Sequence, residues 1–180
     1  MKQIMTTTKR TTTTKRKSTT TKKPAAKKPS TPKVTLNETS RVDEILSAVS
    51  KQRTKAKKVE ILQKYNENFL KSVLIWNFDT SIKSDIPPGE VPLTASEDRE
   101  VTGSSIRDEW DKFYNFVKGG NDSMNRLRKE TMFINICEQL HPNEAEILIL
   151  TKDKKLQDAY NITQEVVEEA FPDIQWGNRS

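Results

Sequence analysis

The stretch Ser123–Pro172, SMNRLRKETMFINICEQLHPNEAEILILTKDKKLQDAYNITQEVVEEAFP, has the densest apolar periodicity of the chain, with its one histidine and its one cysteine. Apolar residues recur there every three or four positions, as on one face of an α-helix, without the every-second-residue alternation of a half-buried strand. A folded body built on this stretch is helical. Pro142 divides it, because proline suits the first turn of a helix and disfavours helix in the residue before it.

On the near side of that division, Met124, Leu127, Phe133, Ile134, Cys137 and Leu140 form a broad apolar face, which predicts a helix capped by Asn121–Ser123 and buried on most sides. On the far side, Ala145, Leu148, Ile149 and Leu150 continue the core. The polar break TKDKK precedes Leu156. Asn161 or Thr163 then caps a last helix with Val166, Val167, Ala170 and Phe171 inward and Glu165, Glu168 and Glu169 outward, closed by Pro172.

Upstream, Ser40 with Asp43 three residues later resembles a capping box ahead of Val42, Ile45, Leu46 and Val49, giving a first helix to about Gln52. A second runs from Thr54 to Tyr65 with Val59, Leu62 and Tyr65 inward. A third, capped by Asn66, covers Glu67 to Asn77 and buries Phe69, Leu70, Val73 and Leu74. Residues 79–104 hold Pro87, Pro88, Gly89 and Pro92. So long a connection is either an ordered wrap or a partner-binding loop, and Ile82, Ile86, Val91 and Leu93 favour the wrap by giving it anchors. Ser105 and Asp108 open a further helix with Ile106, Trp110, Phe113 and Val117 on one face, stopped at Gly119-Gly120. The expectation is an all-α body of about six or seven helices over residues 40–172, with a tail at 173–180.

Ahead of this body, residues 1–39 are a low-complexity mixture of Thr, Lys and Pro. Too few apolar groups are present to offset the roughly 1–2 kcal/mol of backbone entropy lost per ordered residue, so the segment is expected to be a disordered arm. Residues 1–36 contain eleven Lys or Arg and no acid, so the chain's net +6 leaves −5 for residues 37–180. A polyanion should meet the arm first. Lys9, Arg10, Lys15, Arg16, Lys17, Lys22, Lys23, Lys27, Lys28 and Lys33 are the candidate nucleic-acid contacts, because each cation that neutralises a phosphate releases condensed counterions. No aromatic residue occurs in residues 1–64, so base stacking adds nothing there and binding of DNA or RNA would lack sequence readout. The bland alternatives are a solvated linker and adhesion to anionic lipid or an acidic protein.

Chemistry has few candidates. His141 has no second His or neighbouring Cys with which to make a zinc site or a triad, and its expected part is to cap the carbonyls of the helix it ends. Cys137, inside an apolar pattern, reads as a small buried hydrophobe and implies a reducing compartment. Gly119-Gly120 lacks the spacing of a phosphate loop, and no carboxylate pair stands out. No catalytic, metal or cofactor residue is assigned. The chain lacks the roughly 18 consecutive apolar residues of a membrane span and the apolar run of a secretory signal, so a soluble intracellular protein is expected. Two basic runs in the body, at Lys55, Lys57 and Lys58 and at Lys152, Lys154 and Lys155, would extend a basic surface if the fold brought them together.

The order of KKVEILQKYN (57–66), FDTSIKSDIPPGEVPL (78–93), KFYNFVKGG (112–120), RKETMFINICEQLHPNEAEILIL (128–150), KDKKL (152–156) and ITQEVVEEAFP (162–172) resembles an uncharacterised family of small proteins from large contractile-tailed bacteriophages. The resemblance covers residues 55–172 and excludes the arm. It implies a phage protein acting in the host cytoplasm during infection, or packaged in the virion, and it brings no activity or site residues with it. The reading that follows is a non-enzymatic accessory protein whose body binds a phage or host protein and whose arm binds nucleic acid. The alternatives are a virion component with the arm against packaged DNA, and an enzyme with an unrecognised site around His141 or a carboxylate pair.

Overall fold

Helix α1, Val42–Ser50, forms because Val42, Ile45, Leu46 and Val49 fall on one face, and all four are fully buried. Each such side chain contributes about 1.5–3 kcal/mol of transfer free energy. The computed structural model describes residues 36–94 and 103–178 of the chain. Helix α2 spans Lys55–Lys64, α3 Asn68–Phe78 and α4 Ile106–Glu109, the last continuing into a 3-10 segment, Trp110–Phe116. Then come α5 (Arg126–Gln139), α6 (Pro142–Lys152), α7 (Leu156–Ala159) and α8 (Gln164–Ala170). No strand occurs among the described residues, so the body is all-α as expected; two isolated bridges, Ser84 with Val117 and Ser104 with Leu140, pin the connections.

Helix α6 lies at the centre and packs on α1, α3, α5 and α7, while α2 packs between α1 and α8. Trp76, Phe113, Phe116 and Phe133 form an aromatic cluster, with centroids 5.2 Å apart for Phe116 and Phe133 in an edge-to-face pair. The segment after α3 is an ordered wrap as far as Thr94: Ile82 and Ile86 are buried, and Val91 and Leu93 pack against the core. Residues 95–102 lie outside the described residues, as do residues 1–35, which make up most of the expected arm; residues 36–39, expected to belong to it, are ordered instead, with Leu36 packed on the core and a turn closed by the Ser40 N–H on Asn37 O at 3.1 Å. Beyond α8, Ile174 is buried, Trp176 packs on the core, and the Gly177 N–H donates to Asp79 Oδ2 at 3.0 Å.

Several local expectations need correction. Ser40 does not cap α1; its hydroxyl accepts the Asn37 N–H, and the first turn is closed by Glu44, which accepts the Arg41 N–H at 3.0 Å. The third helix starts one residue later than expected, after Glu67. The helix after Ser105 does have its capping box with Asp108, but it tightens into the 3-10 segment after one turn. With three residues per turn, Phe116 replaces Val117 on the face shared with Trp110 and Phe113; Phe113 and Phe116 are buried, and Trp110 and Val117 are half-buried. Helix α5 is capped by Asn125, whose Oδ1 accepts the Arg128 N–H at 2.8 Å, not by Asn121–Ser123. It is not buried on most sides either: Leu127 is 73% exposed, because the helix N-terminus overhangs the core.

Candidate functional site

The residues with the most chemical potential are committed to holding helices together. His141 is the N-cap of α6. Its Nδ1 accepts the Asn143 N–H at 3.3 Å and its own N–H donates to Ser104 O at 3.0 Å. It therefore caps the helix that follows it, because Pro142 fixes it in extended backbone at the start of α6. Cys137 is fully buried. Glu144, also fully buried, accepts the N–H of Val42 at 2.9 Å and of Ile106 at 2.9 Å and the Ser105 hydroxyl at 3.3 Å. Burial raises its carboxyl above the ordinary value, against these hydrogen bonds, which lower it. Among the described residues no group of three His, Cys, Asp or Glu is arranged to hold a metal, and no helix is long and apolar enough to cross a membrane.

The two basic runs do not build a joint surface. Lys58 is buried with its ammonium on the Asn161 carbonyl, and Lys55 pairs with Glu169 at 2.9 Å. Lys152, whose side chain is fully buried, donates to Pro87 O at 3.1 Å, Gly89 O at 2.8 Å and Asp153 Oδ1 at 2.7 Å. Lys154 donates to the Asp79 carbonyl. A lysine stem is long enough to lie along apolar surface and bring its charge to carbonyls that the fold would otherwise leave unpaired. A third buried lysine, Lys129, pairs with Asp85 at 2.6 Å. Sequence reasoning misses it; its place on the inward side of the α5 periodicity, one turn before Phe133, is the available signal.

These clamps join segments far apart in the chain. Asp153 accepts the Gly89 N–H at 3.1 Å while Lys152 takes the Gly89 carbonyl, so the turn at Pro87–Gly89 is held at both faces. Asn77 accepts the Leu156 N–H at 3.1 Å and thereby closes the first turn of α7. The short motifs FDTSIKSDIPPGEVPL and KDKKL are thus two sides of one contact.

Among the described residues, two open surfaces bear on function. A groove of about 250 Å³ runs between α3 and the 3-10 segment, lined by Ile75, Trp76, Ile82, Trp110, Phe113 and Tyr114 among others. Tyr114 is 54% exposed at its edge, and the buried Trp76 Nε1 has no hydrogen-bond partner. The i, i+3 spacing of Trp110, Phe113 and Phe116 is the sequence signal for this face, hidden by reading it at the α-helical period. The second surface, along α2 and the turn that enters it, is cationic: Lys51, Arg53, Lys57 and Lys64 are exposed there. The arm contacts nominated from sequence, from Lys9 to Lys33, lie outside the described residues.

What the fold and these surfaces define is a small all-α body with internal lysine and carboxylate clamps, an aromatic groove and a cationic corner. The chain belongs to a family of unknown function, DUF6433, which it matches over residues 45–158. That span takes in Glu144, Lys129, Lys152 and the whole wrap, and leaves out the arm and α8. No curated protein and no solved structure matches the chain.

Proposed function

We propose that this chain is a non-enzymatic bacteriophage accessory protein, working in the host cytoplasm, whose helical body binds a phage or host protein while its arm holds the assembly on DNA or RNA. The observation that carries the reading is the segregation of charge, eleven basic and no acidic residues in residues 1–36 against a net −5 in the rest. A polycationic segment with no aromatic group attracts phosphate backbones without reading bases, and that attraction weakens steeply with salt. A protein-binding body is supported by the groove beside Tyr114 and by Leu127, the large apolar side chains most exposed among the described residues. The phage setting rests on the ordered sequence motifs over residues 55–172.

The test is deletion of residues 1–36. Retention of duplex DNA or of RNA on a filter should fall to a small fraction and lose most of its salt dependence, with the helical circular-dichroism signal unchanged. Equal retention by the shortened chain would sink the reading.

A further inference from the structure

We infer that the exposed face of α2, with the turn that enters it from α1, is a second nucleic-acid contact on the body, a groove that seats the phosphate backbone. The inference rests on the nucleic-acid reading of the arm and adds a place on the folded body to it. Lys51, Arg53, Lys57 and Lys64 are exposed, and among the described residues none of them is in an ion pair. Lys83, Lys118, Arg128 and Lys155 are likewise exposed and in no ion pair among the described residues, so what distinguishes this site is the groove that Lys57 and Lys64 share; Lys58, Lys129 and Lys152 are buried, and Lys55 and Lys71 are paired with carboxylates.

The geometry is that of a track. Lys57 and Lys64 are seven residues apart on α2, hence on the same side, and about 10 Å apart along its axis at 1.5 Å per residue. They line one groove of about 430 Å³ with Gln52, Glu60 and Ile61. Lys51 and Arg53 flank Gln52 in the turn that enters α2, so two more cations stand at the end of the track. Glu60 is the one acid on the lining, and Gln52 adds an amide suited to a phosphate oxygen. The carboxylates of α8 lie toward Lys55, where Glu169 is engaged. No aromatic ring lines the groove, so the contact is to backbone, not to stacked bases.

The test uses the full-length chain and a short duplex DNA, with affinity measured against salt. One variant changes Lys51, Arg53, Lys57 and Lys64 to Gln. A control changes Lys83, Lys118, Arg128 and Lys155 to Gln, the same loss of charge at exposed positions elsewhere. A third neutralises the ten nominated arm residues. The corner variant should lower the slope of log affinity against log salt by about 0.9 for each phosphate it no longer neutralises, some two to four in all, and the control by less than half of that. Replacing Lys51, Lys57 and Lys64 with Arg should keep the wild-type slope, which separates missing charge from impaired folding. An unchanged slope in the corner variant, or an equal drop in the control, overturns the inference. If the arm variant alone loses its slope, the arm reading stands and the corner falls. If the corner variant alone does, the reverse holds, and a wild-type chain that does not bind overturns both.

Discussion

The carboxylate of Glu144 accepts the backbone N–H of Val42 at 2.9 Å across 102 residues of chain. Its second oxygen takes the Ile106 N–H at the same distance. The first N–H groups of a helix have no partner within it, and one side chain on α6 takes up the N1 donor of both α1 and α4, beside the caps those helices carry themselves. Truncation by Glu144→Ala strands two buried donors, each costing about 1–3 kcal/mol. A loss of about 2–6 kcal/mol in urea denaturation is expected, with Glu144→Gln milder because its one carbonyl oxygen still accepts. A loss below about 1 kcal/mol for the alanine variant would mean that water replaces the carboxylate and that it is no clamp.

Glu144 also carries a pH signature. Burial, the largest influence, lifts its carboxyl above the ordinary 4.5, so the folded chain holds this proton more tightly than the unfolded one. Its contribution to stability is then complete below that value and is lost as pH rises through the folded-state pKa. The advantage of wild type over Glu144→Gln should narrow as pH rises above the ordinary 4.5 through the folded-state value in paired denaturation curves. A gap that widens over that range would show that the hydrogen bonds from Val42, Ile106 and Ser105 outweigh burial.

Lys152 fastens the wrap. Its ammonium has three oxygen partners, and its side chain is inaccessible to solvent. Lys152→Met keeps the stem and removes the charge, stranding Asp153 and two carbonyls. A destabilisation of roughly 3–5 kcal/mol is expected, the range for removing one member of a buried pair. Hydrogen exchange should quicken at Gly89 and its neighbours before it does in α3. Uniform quickening would place the effect in the core instead.

Two glycines separate crowding from backbone conformation. A Cβ on Gly120 would lie 1.8 Å from the Tyr114 carbonyl oxygen, so Gly120→Ala must push the 3-10 segment and should cost about 1–3 kcal/mol. Gly89 has φ +101° and open space around its Cα, so Gly89→Ala should cost only about 1–2 kcal/mol, from conformation alone. Tyr114 fluorescence or ring NMR signals should shift in the first variant and not in the second. The opposite pattern would contradict the packing of the Tyr114 loop.

Tyr160 titrates late. Burial first, then the charges of Asp43 and Glu146, push its phenol up to about 12, against a hydrogen bond with Ser47 that lowers it. The folded chain keeps this proton, so the associated stability is present below the ordinary 10.0 and is lost as pH rises through about 12. Tyr160→Phe should therefore unfold less readily than wild type in alkali, relative to their difference at neutral pH. Ultraviolet titration should show one phenol fewer in the late-ionising class.

Apolar spacing was enough to identify most of the core and the helical class. Val42, Ile45, Leu46 and Val49, and again Val166, Val167, Ala170 and Phe171, fall on the buried faces read for them, because a helix repeats its faces every few residues and burial follows the repeat. The polarity of the arm against the body is likewise a property of the chain as written. What lay beyond that reading were the partners of buried charge. Lys58, Lys129, Lys152 and Glu144 look like surface residues one at a time, and each is satisfied by a group many residues away. Only the tertiary structure decides which oxygen or N–H a long side chain reaches, and with it which of the body's cations stay free for a partner. Desolvation forces such pairings on a buried charge, while the sequence records only that the charge exists.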